Sequence, residues 1–226
     1  SCALLSGAHY GPCHQDAAED RGVPRPGVTG PTATGAVRPL SRPYPDAILL
    51  AMTAYDGLYL APHLDDVVLS CGGTIHRRAR EGRRALVITL FAGSPDEDAN
   101  TAFSLELKER WGALEDPVGV RRHEDLEAVT RLGAEAAHLP FLDCVYRRGP
   151  VSGADLSPTV EHIFGDVHPE EAALHEVLLA ALDPYLAASP RATVYAPLTV
   201  GHHVDHLVTL RAVRALHAAG RRVRLY

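Results

Sequence analysis

Two short segments concentrate groups that can bind a cation and move a proton. The first is Ala61-Pro62-His63-Leu64-Asp65-Asp66. Its imidazole and the carboxylate three positions on can converge on one cation from a turn. Adjacent carboxylates diverge, so one aspartate can ligate a metal while the other stays free as a base. The ordinary alternative is that Asp65 or Asp66 caps a helix beginning near Val67. The second segment is Gly201-His202-His203-Val204-Asp205-His206. Placed on the first turn of a helix, His203 and His206 are i,i+3 and face the same point. Capping accounts for at most one of these groups and a core histidine for another. A His, Asp and His set with one position left open to water describes a catalytic zinc site, because structural sites are closed and often built from cysteine.

Both segments need elements that hold them together. Leu58 to Ala61 reads as a short buried strand, Pro62 to Asp66 as a turn, and about Val68 to Glu81 as a helix stopped by Gly82. Arg84 to Phe91 is a second strand, followed by an irregular insertion from Ala92 to about Val120 that includes a short helix over Leu105 to Trp111. The spacing of Leu126, Val129 and Leu132 predicts a helix over Arg121 to Leu132, and Ala137 to Phe141 reads as a third strand. Glu170 to Ala188 is the longest helix, entered through His168-Pro169. His168 either opens that helix or lines the substrate cleft. Ala192 to Pro197 is a fourth strand, His203 to Ala219 a helix, and Arg222 to Tyr226 a fifth, central-looking strand, so the chain is expected to continue past Tyr226. Strands alternating with helices predict an α/β, Rossmann-like three-layer domain with a mainly parallel sheet. In such sheets ligands sit beyond the carboxyl ends of the strands, where both segments fall.

Composition narrows the function further. The 226 residues carry a formal net charge of −6 without a basic stripe, which argues against nucleic acid or an anionic membrane surface as a partner. Cys2, Cys13, Cys71 and Cys144 lack the spacing of a cysteine metal site or a disulfide framework, so a reducing compartment is expected. With neither an apolar run of membrane-spanning length nor a secretory leader, the expected location is cytoplasmic. Residues 1 to 51, rich in proline and glycine, read as a disordered leader, and 52 to 226 as one domain.

APHLDD followed by Ser-Cys-Gly-Gly, together with GHHVDH, resembles the two signatures of the PIG-L/LmbE-like de-N-acetylases, and the order of elements agrees over Leu58 to Tyr226. The resemblance implies a Rossmann-like fold, one zinc ion per chain, and hydrolysis of the N-acetyl group of an amino sugar conjugate. By position it implies His63, Asp66 and His206 as metal ligands and Asp65 as the general base. It further implies a protonated His203 as the oxyanion partner and Asp205 as the group that orients His203. Proline is usual in the family where Leu64 stands, and glutamate is frequent at Val67. Arg121-Arg122-His123-Glu124 resembles a family segment in which arginine faces the substrate; a solvated helix start explains Arg121 as well. The competing reading is an inactive Rossmann-like nucleotide- or sugar-binding module, although Gly72-Gly73 comes too late after the first strand to cradle a phosphate.

Overall fold

The computed structural model describes residues 53–110 and 115–226; the leader expected over residues 1 to 51 lies outside the described residues. Among the described residues five strands, β1 (Gly57–Ala61), β2 (Ala85–Thr89), β3 (Glu135–His138), β4 (Thr193–Ala196) and β5 (Val223–Leu225), form one parallel sheet in the order β3-β2-β1-β4-β5. Among the described residues six helices accompany it: α1 (Asp66–Arg80), α2 (Ala102–Arg110), α3 (Pro117–Arg131), α4 (Val160–Ile163), α5 (Leu174–Ala188) and α6 (Val204–Ala218).

The alternation of side chains along a strand divides the core into two layers. Leu58, Leu60, Leu86 and Ile88 face α5 and α6, joining Leu178, Leu182, Val208 and Ala212. Tyr59, Ala61 and Val87 face the opposite way, against Val67, Cys71 and Ile75 of α1 and Val129 of α3. Across the central register Tyr59 lies beside Tyr195, the rings stacked at 4.3 Å and 5°. Each fully buried leucine or isoleucine contributes roughly 1.5–3 kcal/mol. The α/β three-layer expectation therefore holds.

Chain direction explains where a site forms. From β1 the chain moves outward through β2 to β3, then returns to place β4 on the other side of β1. The loops leaving β1 and β4 are thus neighbours that diverge to opposite faces, one into α1 and the other into α6. This is the switch point at which open α/β sheets bind ligands.

Several boundaries differ from expectation for local reasons. α3 begins at Pro117 because the Asp116 carboxylate accepts the Gly119 amide and proline occupies the first turn. A Cβ on Gly119 would strike that carboxylate. β3, at Glu135–His138, starts two residues and ends three residues earlier than expected; it ends short of Pro140, which has no amide for the ladder and makes only an isolated bridge with Phe91. The long helix starts at Leu174, after a 3-10 turn at Pro169–Glu171. β5 is the last strand of the sheet among the described residues, with Arg224 and Leu225 exposed.

Candidate active site

The β1 loop turns sharply at Asp65, whose φ of 83° is left-handed. Holding aspartate there costs on the order of 1–3 kcal/mol. Its amide donates to Asp125 Oδ1 of α3 at 3.1 Å, and Asp125 Oδ2 meets His138 Nε2 at the end of β3 at 2.8 Å. Helix capping does not explain the aspartates: the Asp65 side chain makes no cap bond, and Asp66 Oδ2 accepts the His63 amide at 2.8 Å, behind the helix start. The Asp65 carboxylate points instead towards Arg121 Nη2, 3.4 Å away, and the same guanidinium donates to Leu64 O at 3.0 Å.

The β4 loop is strained in the same manner, with Thr199 at φ 67° and His202 at φ 60°. His203 is the N-cap of α6, and its Nδ1 accepts the Asp205 amide at 3.2 Å. With β1 and β4 adjacent, three imidazoles meet: ring centroids of His63 stand 4.6 Å from His203 and 5.4 Å from His206.

His63, Asp66 and His206 each bring one ligand atom within 4.8 Å of the others. Asp66 Oδ2 lies 3.4 Å from His63 Nδ1 and 3.3 Å from His206 Nε2, and both nitrogens are buried without a hydrogen-bond partner. Two orphaned imidazole nitrogens flanking one carboxylate oxygen fit a divalent cation with nitrogen and oxygen ligands. A second group, His63, His203 and Asp205, meets the same distance test. It is the weaker candidate, because His63 Nε2 is already bonded to Asp205 Oδ2 at 2.9 Å and His203 Nδ1 is occupied by the helix cap.

Electrostatics follow from this packing. Burial alone would depress the His63 imidazole, but its hydrogen bond to Asp205 and the neighbouring Asp66 and Asp143 carboxylates raise it to about 10. Against the opposing effect of burial, His206 and His63 hold the Asp66 carboxyl well below the usual carboxylate range. Burial, reinforced by the charge of His63, lowers His203 to about 4.

Two expectations are corrected here. The Asp205 carboxylate hydrogen-bonds the His63 ring, not that of His203, because α6 directs its first-turn side chain inward to β1; only the Asp205 amide meets His203. Burial also leaves His203 neutral where a protonated ring was expected. His168 accepts the Glu170 amide through Nδ1, opening the 3-10 turn, and it also lines a cavity of about 180 Å³ with Glu161, Asp166 and Glu171.

Sequence reasoning missed Asp125, Asp143, Cys144 and Arg147. Fully buried Asp205 also accepts the Cys144 amide at 3.1 Å and forms an ion pair with Arg147, whose Nη1 lies 2.6 Å from Oδ1. Asp143 Oδ2 lies 3.7 Å from His63 Nε2. Asp125, next to the Arg121 to Glu124 segment, was the one with a usable signal: an acid one helical turn beyond an arginine that faces the first loop.

Comparison with known proteins shows the family. Residues 58–217 match the PIG-L family, described as GlcNAc-PI de-N-acetylase. A 2'-N-acetylparomamine deacetylase of Niallia circulans is 27% identical over 187 residues, 75% of this chain and 65% of that protein. A 1D-myo-inositol 2-acetamido-2-deoxy-alpha-D-glucopyranoside deacetylase of Corynebacterium glutamicum (strain R) is 29% identical over 159 residues, 70% of this chain and 50% of that protein. The chain thus spans 50% to 65% of the length of these curated relatives. The crystal structure of the zinc-inhibited form of teicoplanin deacetylase Orf2 superimposes with a TM-score of 0.66 at 31% identity, over 74% of this chain and 65% of that one. With most of its described domain inside the matched region, and both histidine- and aspartate-bearing loops at the switch point of the sheet, the chain belongs to the PIG-L family.

Proposed function

We propose that the protein hydrolyses the N-acetyl group of an amino sugar conjugate with one zinc ion held by His63, Asp66 and His206. The observation that carries this reading is the pair of buried, unpartnered imidazole nitrogens on either side of Asp66, with the Asp65 carboxylate in the same loop. When bound, the ion supplies Lewis acidity for attack of water on the amide.

The remaining chemistry belongs to the chain. Asp65 accepts a proton from the attacking water and returns it to the departing amine, so that acetate and a free amino sugar result. Asp125 keeps Asp65 in place through its backbone, and Arg121 orients the carboxylate. His203 acts on the acyl oxygen. Because its Nδ1 accepts the Asp205 amide, the proton of the neutral ring sits on Nε2, which can donate to a developing oxyanion without the ring being protonated. His63 donates from Nε2 to Asp205, which frees Nδ1 for the ion. Arg121 and His168 serve as substrate contacts, one beside Asp65 and the other in the acidic cavity, whose lining suits hydroxyl- and amine-bearing rings.

The test is acetate release from N-acetylglucosamine conjugates by the full chain, at equimolar and at excess zinc, since one structural relative is known in a zinc-inhibited form. Turnover that requires metal and disappears in Asp65→Asn is expected. Metal-independent turnover, or zinc binding that survives removal of His63, Asp66 and His206 together, refutes the assignment.

A further inference from the structure

Behind the His63 ring lies a buried ion cluster that the hydrolytic steps do not use. Arg147 Nη1 meets Asp205 Oδ1 at 2.6 Å and donates to Leu142 O at 3.0 Å, while Nε donates to Glu171 Oε1. The guanidinium carbon lies 5.0 Å from the centroid of the Phe91 ring. These contacts fix the plane of the guanidinium from several sides. On the other side of Asp205, Oδ2 receives His63 Nε2 at 2.9 Å and the Cys144 amide at 3.1 Å. Asp205 is 0% exposed, so water has no share in orienting it.

An ion cluster drawn so far out of water adds little net stability, because desolvation of each ion offsets the attraction between them. What it supplies is direction. Turning the Asp205 carboxylate would swing Oδ2 away from His63, and the ring would lose the acceptor that sets its tautomer and its rotation. Groups that bond the far nitrogen of a metal-binding histidine commonly govern metal affinity.

We infer that Arg147 is a positioning residue for the metal ligand His63: it clamps Asp205 so that His63 presents Nδ1 to the ion, with Glu171 anchoring the clamp from the side of the acidic cavity. This rests on the reading of His63 as a ligand. Lysine at this position would keep the charge but lose the rigid fork that reaches Asp205 and Glu171 together.

The test is a chelator-competition titration of the full-length apoprotein with zinc, alongside the visible absorption spectrum of the cobalt form. Arg147→Lys is expected to weaken zinc affinity by about 10- to 100-fold and to change the cobalt spectrum. In an Asp205→Asn background the same change should add almost nothing, since Arg147 acts through Asp205. Unchanged affinity and spectrum in Arg147→Lys, or a loss that adds fully to that of Asp205→Asn, overturns the inference. If Arg147→Lys does not fold, Glu171→Gln replaces it, with an expected weakening on the order of 10-fold; unchanged affinity there overturns the inference equally. His63→Ala separates the two levels. Zinc affinity that survives it removes the metal assignment, whereas affinity lost there but intact in the Arg147 and Glu171 variants removes only the clamp.

Discussion

Replacing Asp125 with alanine removes the acceptor that holds the Asp65 amide and the partner of His138 in one step. Hydrogen bonds to a charged acceptor contribute roughly 1.5–3 kcal/mol each. Asp65 and His138 are both partly accessible, so water replaces part of what is lost and the lower end applies, about 3 kcal/mol for the pair. For a domain of this size 1 kcal/mol moves Tm by about 2–4 °C, so Asp125→Ala should melt about 6–12 °C lower. The loss reaches the chemistry as well. Asp65 sits at φ 83° against its own preference, and without its anchor the loop relaxes. A displacement near 1 Å costs about 10²-fold in turnover. Asp125→Asn separates anchoring from charge: its amide oxygen still accepts the Asp65 N–H, and its NH₂ can donate to a neutral His138, so the loss should stay below about 1 kcal/mol. Thermal melts by circular dichroism and acetate release at saturating metal read both effects. An alanine variant that melts with the asparagine variant and turns over like the wild type refutes the reasoning.

Asp65→Asn should retain metal and fold, asparagine tolerating the left-handed turn, while kcat falls by about 10² to 10⁴-fold; near-normal kinetics would move the base elsewhere. His203→Ala should lower kcat by about 10² to 10³-fold as one oxyanion donor is lost, with the metal stoichiometry of the protein unchanged; loss of metal would make His203 a ligand. The metal-free protein should be most stable near neutral pH. His63, raised from 6.5 to about 10 by its carboxylate partners, contributes stability that is full below 6.5 and lost as pH climbs through 10. His203, lowered to about 4 by burial, acts oppositely, since the unfolded chain takes up its proton first as pH falls from 6.5 to 4. Saturation with zinc should remove the alkaline limb, because a ring ligating through Nδ1 has no second proton to lose there. Urea midpoints between pH 4 and 10, with and without metal, test both limbs, and an apoprotein equally stable throughout contradicts them.

Local chemistry carried most of the fold and the first layer of the site. The runs LYLA and ALVIT bury themselves whatever surrounds them, and their alternation divides the sheet into two faces. His63, Asp65 and Asp66 share one turn, and His203 and His206 one helix start, so their types and spacing pointed to the chemistry before any contact between them was in view. What spacing could not convey is which carboxylate serves which imidazole. Asp205 stands two residues from His203 and 142 from His63, yet its side chain belongs to the distant ring, because α6 packs that face against β1. Arg147, in the run VYRRGP, looks like any solvated arginine, and its burial depends on distant carboxylates, Glu171, 24 residues on, and Asp205 on α6. His203 was expected to be protonated from its acidic neighbour, and burial reversed that. A sequence shows which groups can ionise. Their charge and partners depend on how much water the fold leaves around them and on which distant elements it packs alongside, and both are properties of tertiary packing.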